Sequence, residues 1–157
     1  MSSGESDPPL RDANTANFLQ KKGTMEIIVE IGEYDSRRHT DLRKELLLSS
    51  STIQQRLNEG KQQGFWEQTL EERGDVAAKV YQLTTLGNEI YQKAVSVNLN
   101  QLYQSKRDII RSIDNRERRV IVDSSPPDAD WISDIDMEEH ELHSVQQFLQ
   151  QFGENNS

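Results

Sequence analysis

The feature that most constrains the fold is a β-hairpin predicted within a chain whose apolar residues otherwise recur at helical spacing. The segments "FWEQTL" and "AKVYQLT" are rich in aromatic and β-branched residues, and the polar segment "EERGDVA" separates them. Gly74 and Asp75 lie at the centre of that segment and mark the turn. The pattern therefore predicts an α+β fold that is mainly α.

Two helical stretches precede the hairpin. Phe18 and Leu19 belong to a short first helix that stops at Gly23, and Thr24 is the expected N-cap of a second. The apolar residues of the second recur at helical spacing and should face the core: Ile27, Ile28 and Ile31.

The next segment predicts two helices joined by a short turn. Thr40 can cap a helix whose apolar face contains Leu42 and Leu46. After a turn at residues 47–49, hydroxyl caps at Ser49 and Ser50 open the segment "SSTIQQRLNEGKQQ". Two helices with a turn of this size form a helix-turn-helix.

After the hairpin, residues 85–113 contain no proline and predict one long helix. Apolar residues recur there at steps of three, four and seven: Leu86, Ile90, Ala94, Val97, Leu102, Ile109 and Ile113. A helix of that size is about 45 Å long. It either packs on its own domain or pairs with its twin in a homodimer, and we favour the homodimer.

Charge is segregated along the chain. Residues 1–122 contain 18 basic and 18 acidic residues, whereas the last 35 residues contain nine acidic residues and no basic one. The window from residue 37 to residue 61 holds six basic against three acidic residues. Because polyanions respond to local potential, this acidic protein has a basic patch that suits nucleic acid. The alternative is that the basic run is only the solvated face of a small helix.

The acidic C-terminal part is predicted to be a mostly disordered tail. Two prolines break the helical pattern in "VDSSPPDADWISDIDMEEHE", whose acids alternate with Trp131, Ile132, Ile135 and Met137. A last amphipathic helix follows at about residues 136–152. The tail has three interpretations: competition with DNA for the basic window, docking of a transcription partner, or solvation in a salty cytoplasm.

The order of helix, helix-turn-helix, hairpin and long helix is that of a winged helix. The stretch "FLQKKGTMEIIVEIGE … RRHTDLRKELLLSSSTIQQRLNEGKQQGFW … KVYQLTTLGNEI" resembles winged-helix transcriptional regulators of the HxlR-like and MarR-like kind, especially those of salt-loving archaea. The most specific pieces are "TDL", "LSSSTI" and "YQLTTLG". The resemblance implies a regulator that binds double-stranded DNA, more often as a repressor than as an activator.

Four regions follow from this organisation. We expect a disordered N-terminus at residues 1–12 and a winged helix-turn-helix at residues 13–84. A dimerisation helix at residues 85–113 and an acidic linker with a terminal amphipathic helix at residues 114–157 complete the chain.

Two residues depart from the family pattern. His39 replaces an aromatic residue that packs under the second helix of the motif. Gly60 replaces a leucine of the recognition helix, which should weaken that helix by about 1 kcal/mol relative to alanine and could bend its C-terminal half.

The recognition helix is predicted at residues 50–63. Ile53 and Leu57 point to the core, which turns polar side chains toward the major groove. Amide and hydroxyl groups of this kind bond to base edges. The candidate base contacts are Ser51, Thr52, Gln54, Gln55 and Asn58.

Phosphate contacts are expected from the basic residues around this helix and from its N-terminus. The candidates are Arg37, Arg38, Arg43, Lys44, Ser50, Arg56 and Lys61. In the wing, at residues 71–77 and the adjoining strand, Arg73 and Lys79 could contact DNA, Arg73 in the minor groove. Glu59, near the groove side, counts against DNA binding.

The residues argue against an enzyme, a cofactor and a metal. The chain has no cysteine, no phosphate-binding loop and no nucleophile in motif context. His140 and His143 lack the rest of a zinc motif, and the alternating acids lack the glycine of a calcium loop. The sequence also lacks a signal peptide and a membrane span, so we expect a cytoplasmic protein. The alternative function is a winged helix that docks proteins without binding DNA.

Overall fold

The computed structural model describes residues 8–135, with the side chain of Arg73 left aside. The elements are α1 (Ala13–Gln20), α2 (Thr24–Tyr34), α3 (His39–Glu45), α4 (Ser50–Gln63), β1 (Trp66–Arg73), β2 (Val76–Leu83), α5 (Thr85–Ser96), α6 (Leu99–Asp123) and a 3₁₀ helix (Ile132–Ile135). This order confirms the predicted winged helix-turn-helix, an α+β fold that is mainly α.

The core lies where α1, α2, α3 and α4 meet the base of the hairpin. Ile27, Ile28 and Ile31 of α2 are fully buried, as their spacing predicted. The other buried apolar residues of this cluster are Phe18, Leu19, Leu42, Leu46, Ile53, Leu57, Phe65, Trp66, Tyr81 and Ile90. Phe18 stacks on Phe65 with ring centroids 5.6 Å apart. The burial of these residues fixes α4 against the rest of the domain.

Ordered structure begins before residue 13. Asp12 is the N-cap of α1 and accepts hydrogen bonds from the backbone N–H and the hydroxyl of Thr15, each at 2.8 Å. The bond from the Thr15 backbone lowers the pKa of the Asp12 carboxyl. Leu10 packs against the core. The expected disorder therefore does not extend through Leu10 and Asp12, and residues 1–7 lie outside the described part.

The caps of α2 and α3 lie one or two residues earlier than the sequence suggested. Gly23, in the left-handed conformation with φ of 89°, is the N-cap of α2, and Thr24 is its buried first residue. Arg38 is the N-cap of α3, where its backbone N–H donates to the Asp41 carboxylate at 3.0 Å. Thr40 is thus the second residue of α3. The capping interaction comes from Asp41, whose side chain accepts the backbone N–H of Arg38.

The predicted hairpin forms with its turn at the expected place. Strands β1 and β2 are antiparallel, paired from Trp66 with Leu83 to Arg73 with Val76. Gly74 and Asp75 form a two-residue loop in which Gly74 has φ of 66°. Positive φ at this position suits glycine because it has no Cβ.

Gly60 has a packing role that the sequence did not reveal. Helix α4 runs without interruption from Ser50 to Gln63, through Gly60. A Cβ added to Gly60 would overlap the indole of Trp66. Trp66 is 1% exposed and its Nε1 donates to the Leu57 carbonyl at 2.9 Å. The indole fills the space that a leucine at position 60 would occupy.

The helix predicted at residues 85–113 is divided in two. Helix α5 ends at Ser96, the chain turns at Asn98 with φ of 60°, and α6 continues to Asp123. Asparagine tolerates this left-handed conformation better than most residues, which permits the break. Helix α6 also includes residues 114–123, where the sequence predicts the linker.

Contacts divide the chain at the start of α6 into two compact units, Met1–Gln101 and Leu102–Ser157. In the second unit, α6 exposes a stripe of apolar side chains: Leu102, Ile109, Ile110, Ile113, Val120 and Ile121. No helix within residues 8–135 is long and apolar enough to cross a membrane.

The acidic segment is described as far as residue 135. Trp131 is 50% exposed, and its Nε1 donates to the Ser125 hydroxyl at 3.1 Å. The predicted terminal helix at residues 136–152 lies outside the described part, as do Met137, His140 and His143.

Candidate nucleic-acid interface

Burial of one face of α4 determines which face meets solvent. Ile53 and Leu57 are fully buried, and Gly60 lies under Trp66. Gly64 ends the helix in the left-handed conformation, and its backbone N–H bonds to the carbonyls of Gly60 and Lys61. The opposite face is therefore held in a fixed orientation by the core.

The outward face of α4 is polar, uncharged and open. Ser51, Gln54, Gln55 and Asn58 are exposed, and Thr52 is half-buried. Nε2 of Gln54 donates to Oδ1 of Asn58 at 3.1 Å, whereas the amide of Gln55 has no hydrogen bond within residues 8–135. Four of the five predicted base-contact side chains are thus exposed to solvent, and Thr52 is exposed in part.

Hydroxyl groups close the N-terminal end of α4. The Ser49 hydroxyl accepts the Thr52 backbone N–H at 3.1 Å and lies within hydrogen-bonding distance of the hydroxyls of Thr52 and Ser51. Ser49 is thus the N-cap and Ser50 the first helical residue. The backbone N–H groups of Ser50 and Ser51 have no acceptor within residues 8–135, which leaves them available to an anion.

Arg37, one of the predicted phosphate contacts, is committed to the fold. Its Nη2 donates to the Glu30 carboxylate at 2.8 Å, and its guanidinium lies 3.5 Å from the centroid of the Tyr34 ring. The backbone groups of Arg37 and Tyr81 exchange two hydrogen bonds, which tie the α2–α3 loop to β2. With Glu30 only 3% exposed, Arg37 neutralises a buried charge. We therefore remove Arg37 from the phosphate-binding set.

The Arg56 guanidinium is likewise engaged in hydrogen bonds within the protein. Its Nε donates to the Lys22 carbonyl at 2.9 Å, and its Nη1 donates to Glu59 at 2.9 Å. Lys21 donates to the same carboxylate, and this hydrogen bond is the main cause of the lowered pKa of Glu59. Both carboxylate oxygens of Glu59 are thus paired, which removes the electrostatic objection that Glu59 raised against DNA. Arg56 also leaves the phosphate-binding set.

Arg38 is partly engaged at the start of α3. Its guanidinium bonds to both carboxylate oxygens of Asp41 at 3.3 Å. Burial alone would raise the pKa of Asp41, but the hydrogen bonds from Arg38 outweigh it and lower that pKa. The Arg38 side chain is 34% exposed, so part of it still faces solvent.

The exposed cations near α4 are fewer than the basic window suggested, and they include one that the sequence did not point to. Arg43 and Lys44 of α3 and Lys61 of α4 are exposed. Lys22 is also exposed, in the turn whose carbonyl accepts Arg56. Lys22 lies outside the window in sequence, and only the contact between the α1–α2 turn and α4 brings it to this surface.

Gln62 extends the outward face by about one helical turn beyond Asn58. It is exposed and follows Gln55 by seven residues, close to two full turns of helix. The helical repeat could have identified it, but the base-contact candidates chosen from the sequence stopped at Asn58.

The wing is less basic than its two candidate residues imply. Lys79 is exposed, while the side chain of Arg73 is not described. Strands β1 and β2 with their loop contain four carboxylates, those of Glu67, Glu71, Glu72 and Asp75, against these two cations. Leu70 and Val76 near the tip are 68% and 70% exposed. The positive potential therefore centres on α3 and α4 rather than on the hairpin.

Comparisons with known proteins give one distant likeness. No protein-family model and no curated protein matches this chain. Among solved structures, the chain is similar to the adhesin competence repressor AdcR from Streptococcus pyogenes, at 17% identity and a TM-score of 0.45. The match covers 92% of this chain and 88% of that one. At such a distance, function has to be argued from the side chains of this chain.

Proposed function

We propose that this protein is a transcriptional regulator that binds double-stranded DNA with α4 in the major groove. The observation that carries the proposal is the outward face of α4, an exposed row of amide and hydroxyl side chains on a helix fixed by the core. An α-helix fits the major groove, and such side chains bond to base edges there. Neutral amides exposed on a surface need no other partner than water, so DNA can replace that water directly.

The phosphate contacts of the proposal come from cations that face solvent. Arg43 and Lys44 lie on α3 and Lys61 lies on the recognition helix itself, and the free backbone N–H groups of Ser50 and Ser51 add an anion site at the start of that helix. Arg38 contributes through its exposed part. Arg73 and Lys79 are kept as wing contacts, subordinate to α3 and α4 because the sequence of the hairpin contains four carboxylates.

The exposed stripe on α6 supports a homodimer. Leu102, Ile109, Ile113 and Val120 are 38–64% exposed and follow one another by seven, four and seven residues. This is the spacing of a helix seam that pairs with a second helix. A two-fold dimer would read two half-sites one helical turn, or a multiple of it, apart. The proposal places the protein with HxlR-like and MarR-like regulators, in the cytoplasm, as a repressor that occludes a promoter.

A gel shift with the duplex upstream of the protein's own gene tests the proposal. We expect a retarded band that weakens as salt rises, because phosphate binding releases counterions. The variant Arg43→Ala/Lys44→Ala should weaken binding to every duplex. Lys93→Ala, which removes an exposed lysine of α5, is the matched control and should bind as the wild type does. Absence of a shift at low salt, with the chain folded, would refute the proposal.

A protein-docking role is the second candidate. The exposed Leu70 and Val76 of the hairpin favour it, since apolar side chains that face solvent can contact a partner's surface. The variant Leu70→Ser/Val76→Ser separates the two functions. Docking without DNA binding predicts that the wild type gives no gel shift and that this hairpin variant loses a partner protein. The DNA-binding proposal predicts a wild-type gel shift that the hairpin variant keeps and that the Arg43→Ala/Lys44→Ala variant weakens.

The acidic tail is proposed to weaken DNA binding by competing for the basic surface or to hold a transcription partner. Residues 123–157 carry nine acidic and no basic residues. A chain that ends after Val122 should bind DNA more tightly at fixed salt if the tail competes. Unchanged affinity would leave the partner or simple solvation as its role.

A further inference from the structure

The centre of the outward face of α4 contains amides and a hydroxyl but no cation. Its members are the exposed Ser51, Gln55, Asn58 and Gln62, and the exposed Gln54 lies to one side of them. The one arginine of α4, Arg56, points toward the α1–α2 turn. Its guanidinium donates to the Lys22 carbonyl of that turn and to the Glu59 carboxylate of α4. The one lysine, Lys61, is exposed on the flank, where it follows Gln54 by seven residues and lies about 120° around the helix from Gln55.

This distribution determines which base the helix can recognise well. Guanine presents two acceptors, N7 and O6, in the major groove and is read by the paired donors of arginine or by lysine. Adenine presents one acceptor, N7, and one donor, N6–H, and is read by the matching acceptor and donor of glutamine or asparagine. The face of α4 therefore has the complement of adenine and lacks that of guanine.

Within this face, Gln55 is the side chain best placed to read a base. Gln54 is engaged on its own helix, where its Nε2 donates to Oδ1 of Asn58 at 3.1 Å. Asn58 has one lone pair of its oxygen committed to Gln54. Gln55 has no hydrogen bond within residues 8–135, so it can give both its oxygen and its amide hydrogens to one base without breaking a contact.

We propose that Gln55 reads an adenine, so that each half-site contains an A·T pair at the position that faces the middle of α4. The inference rests on the proposed DNA binding and adds to it the class of sequence that is bound. Asn58 and Ser51, one turn to either side of Gln55, contact the neighbouring base pairs. A G·C pair at the Gln55 position leaves the glutamine oxygen facing the O6 acceptor of guanine, which is unfavourable.

Selection from a randomised duplex library tests the inference with the full-length protein. Three proteins are compared: wild type, Gln55→Ala and Gln55→Arg. The wild type should enrich one invariant A·T pair, which Gln55→Ala loses while neighbouring preferences remain. Gln55→Arg should change the preference at that position from A·T to G·C, because arginine matches guanine. Replacing the selected A·T pair by G·C should weaken wild-type binding roughly 5- to 150-fold.

The outcomes separate this inference from the proposed function. Failure of the wild type to retain any duplex refutes DNA binding itself. If a site is enriched but Gln55→Ala enriches the same site, or if the position that depends on Gln55 is G·C, DNA binding stands and the adenine assignment is wrong. Because Gln55 is exposed, both variants should fold, and circular dichroism with a thermal scan verifies this.

Discussion

The winged-helix unit and α6 both contain apolar residues at helical spacing, but these residues are buried in the winged-helix unit and exposed on α6. Ile27, Ile28 and Ile31 of α2 are fully buried, whereas Ile109 and Ile113 of α6 are 38% and 51% exposed. In α2 the apolar face meets α1, α5 and the hairpin. Hydrophobic periodicity therefore specifies which face of a helix is apolar, and the partner that covers this face has to come from elsewhere in the chain or from a second molecule.

The basic residues show the same division between committed and available groups. Arg37 and Arg56 lie inside networks with Glu30, Glu59 and a backbone carbonyl, while Arg43 faces solvent. A buried ion pair holds the fold and an exposed cation can bind a ligand. Substitutions should accordingly separate the two groups, one by stability and the other by binding.

The largest effect on stability is expected from Arg37→Ala. It removes the Arg37 guanidinium from the buried Glu30 carboxylate and from the Tyr34 ring, so we expect a loss of about 3 to 5 kcal/mol in the free energy of unfolding. Urea denaturation measures this loss. Arg43→Ala, at an exposed site, is the control and should change stability by less than about 0.5 kcal/mol. Equal stability of the two variants would show that the Glu30–Arg37 pair does not support the fold.

Gly60→Ala should have the second largest effect. The added Cβ cannot fit beside the Trp66 indole, so the helix or the hairpin must shift, at a cost of about 1 to 3 kcal/mol. This is opposite to the gain that alanine gives in an exposed helix. Gln62→Ala, an exposed site of the same helix, is the matched control. A stabilised Gly60→Ala protein would mean that Trp66 does not occupy that space.

Ile113→Glu should test the apolar stripe of α6 with little change in the winged-helix unit. A charge in the seam should shift the dimer to monomer in analytical ultracentrifugation and weaken binding to a two-half-site duplex. The unfolding of the winged-helix unit should change by less than about 0.5 kcal/mol. Arg118→Ala, which breaks only an exposed ion pair with Asp114, should leave the mass unchanged. A wild type that is monomeric at all concentrations would contradict the proposed dimer.

The smallest effect is expected from acid. The pKa values of Asp12, Asp41 and Glu59 are lowered in the folded protein by their hydrogen bonds, so each contributes stability that is complete above its unfolded pKa. That stability is lost as the pH falls through the lower, folded values. The midpoint temperature of thermal unfolding should therefore fall as the pH is lowered below the ordinary carboxyl pKa range. Glu59→Gln should reduce the pH dependence, and an unchanged profile would contradict the role of this pair.

Much of the fold followed from local patterns, because turn residues and apolar spacing act over a few neighbours. Gly74 and Asp75 placed the hairpin turn correctly, and Ile53 with Leu57 gave the buried side of α4. Contacts between distant segments were not predictable in this way. The fit of Trp66 on Gly60 depends on how the strand returns to the helix, and neither residue reveals it alone.

The candidate site also combines features that local sequence patterns predict with features that depend on distant contacts. The exposed amides of α4 followed from the helical repeat, but the commitments of Arg37 and Arg56 depended on partners across the fold. The break at Asn98 is a single left-handed residue within an otherwise helical pattern, so apolar spacing continued through it. Charge counted along the sequence overestimated the number of available cations because it cannot distinguish paired from free side chains.

The most direct test of the central proposal is to follow the side-chain amide signals of the ¹⁵N-labelled protein by NMR while duplex DNA is added. Selective assignment of Gln55, Asn58 and Gln62 identifies the outward face of α4. We predict that their NH₂ signals shift on binding, together with the backbone amides of Ser50 and Ser51, while those of Gln92 on α5 stay in place. Binding of the duplex with α4 signals unchanged and shifts elsewhere would contradict the account.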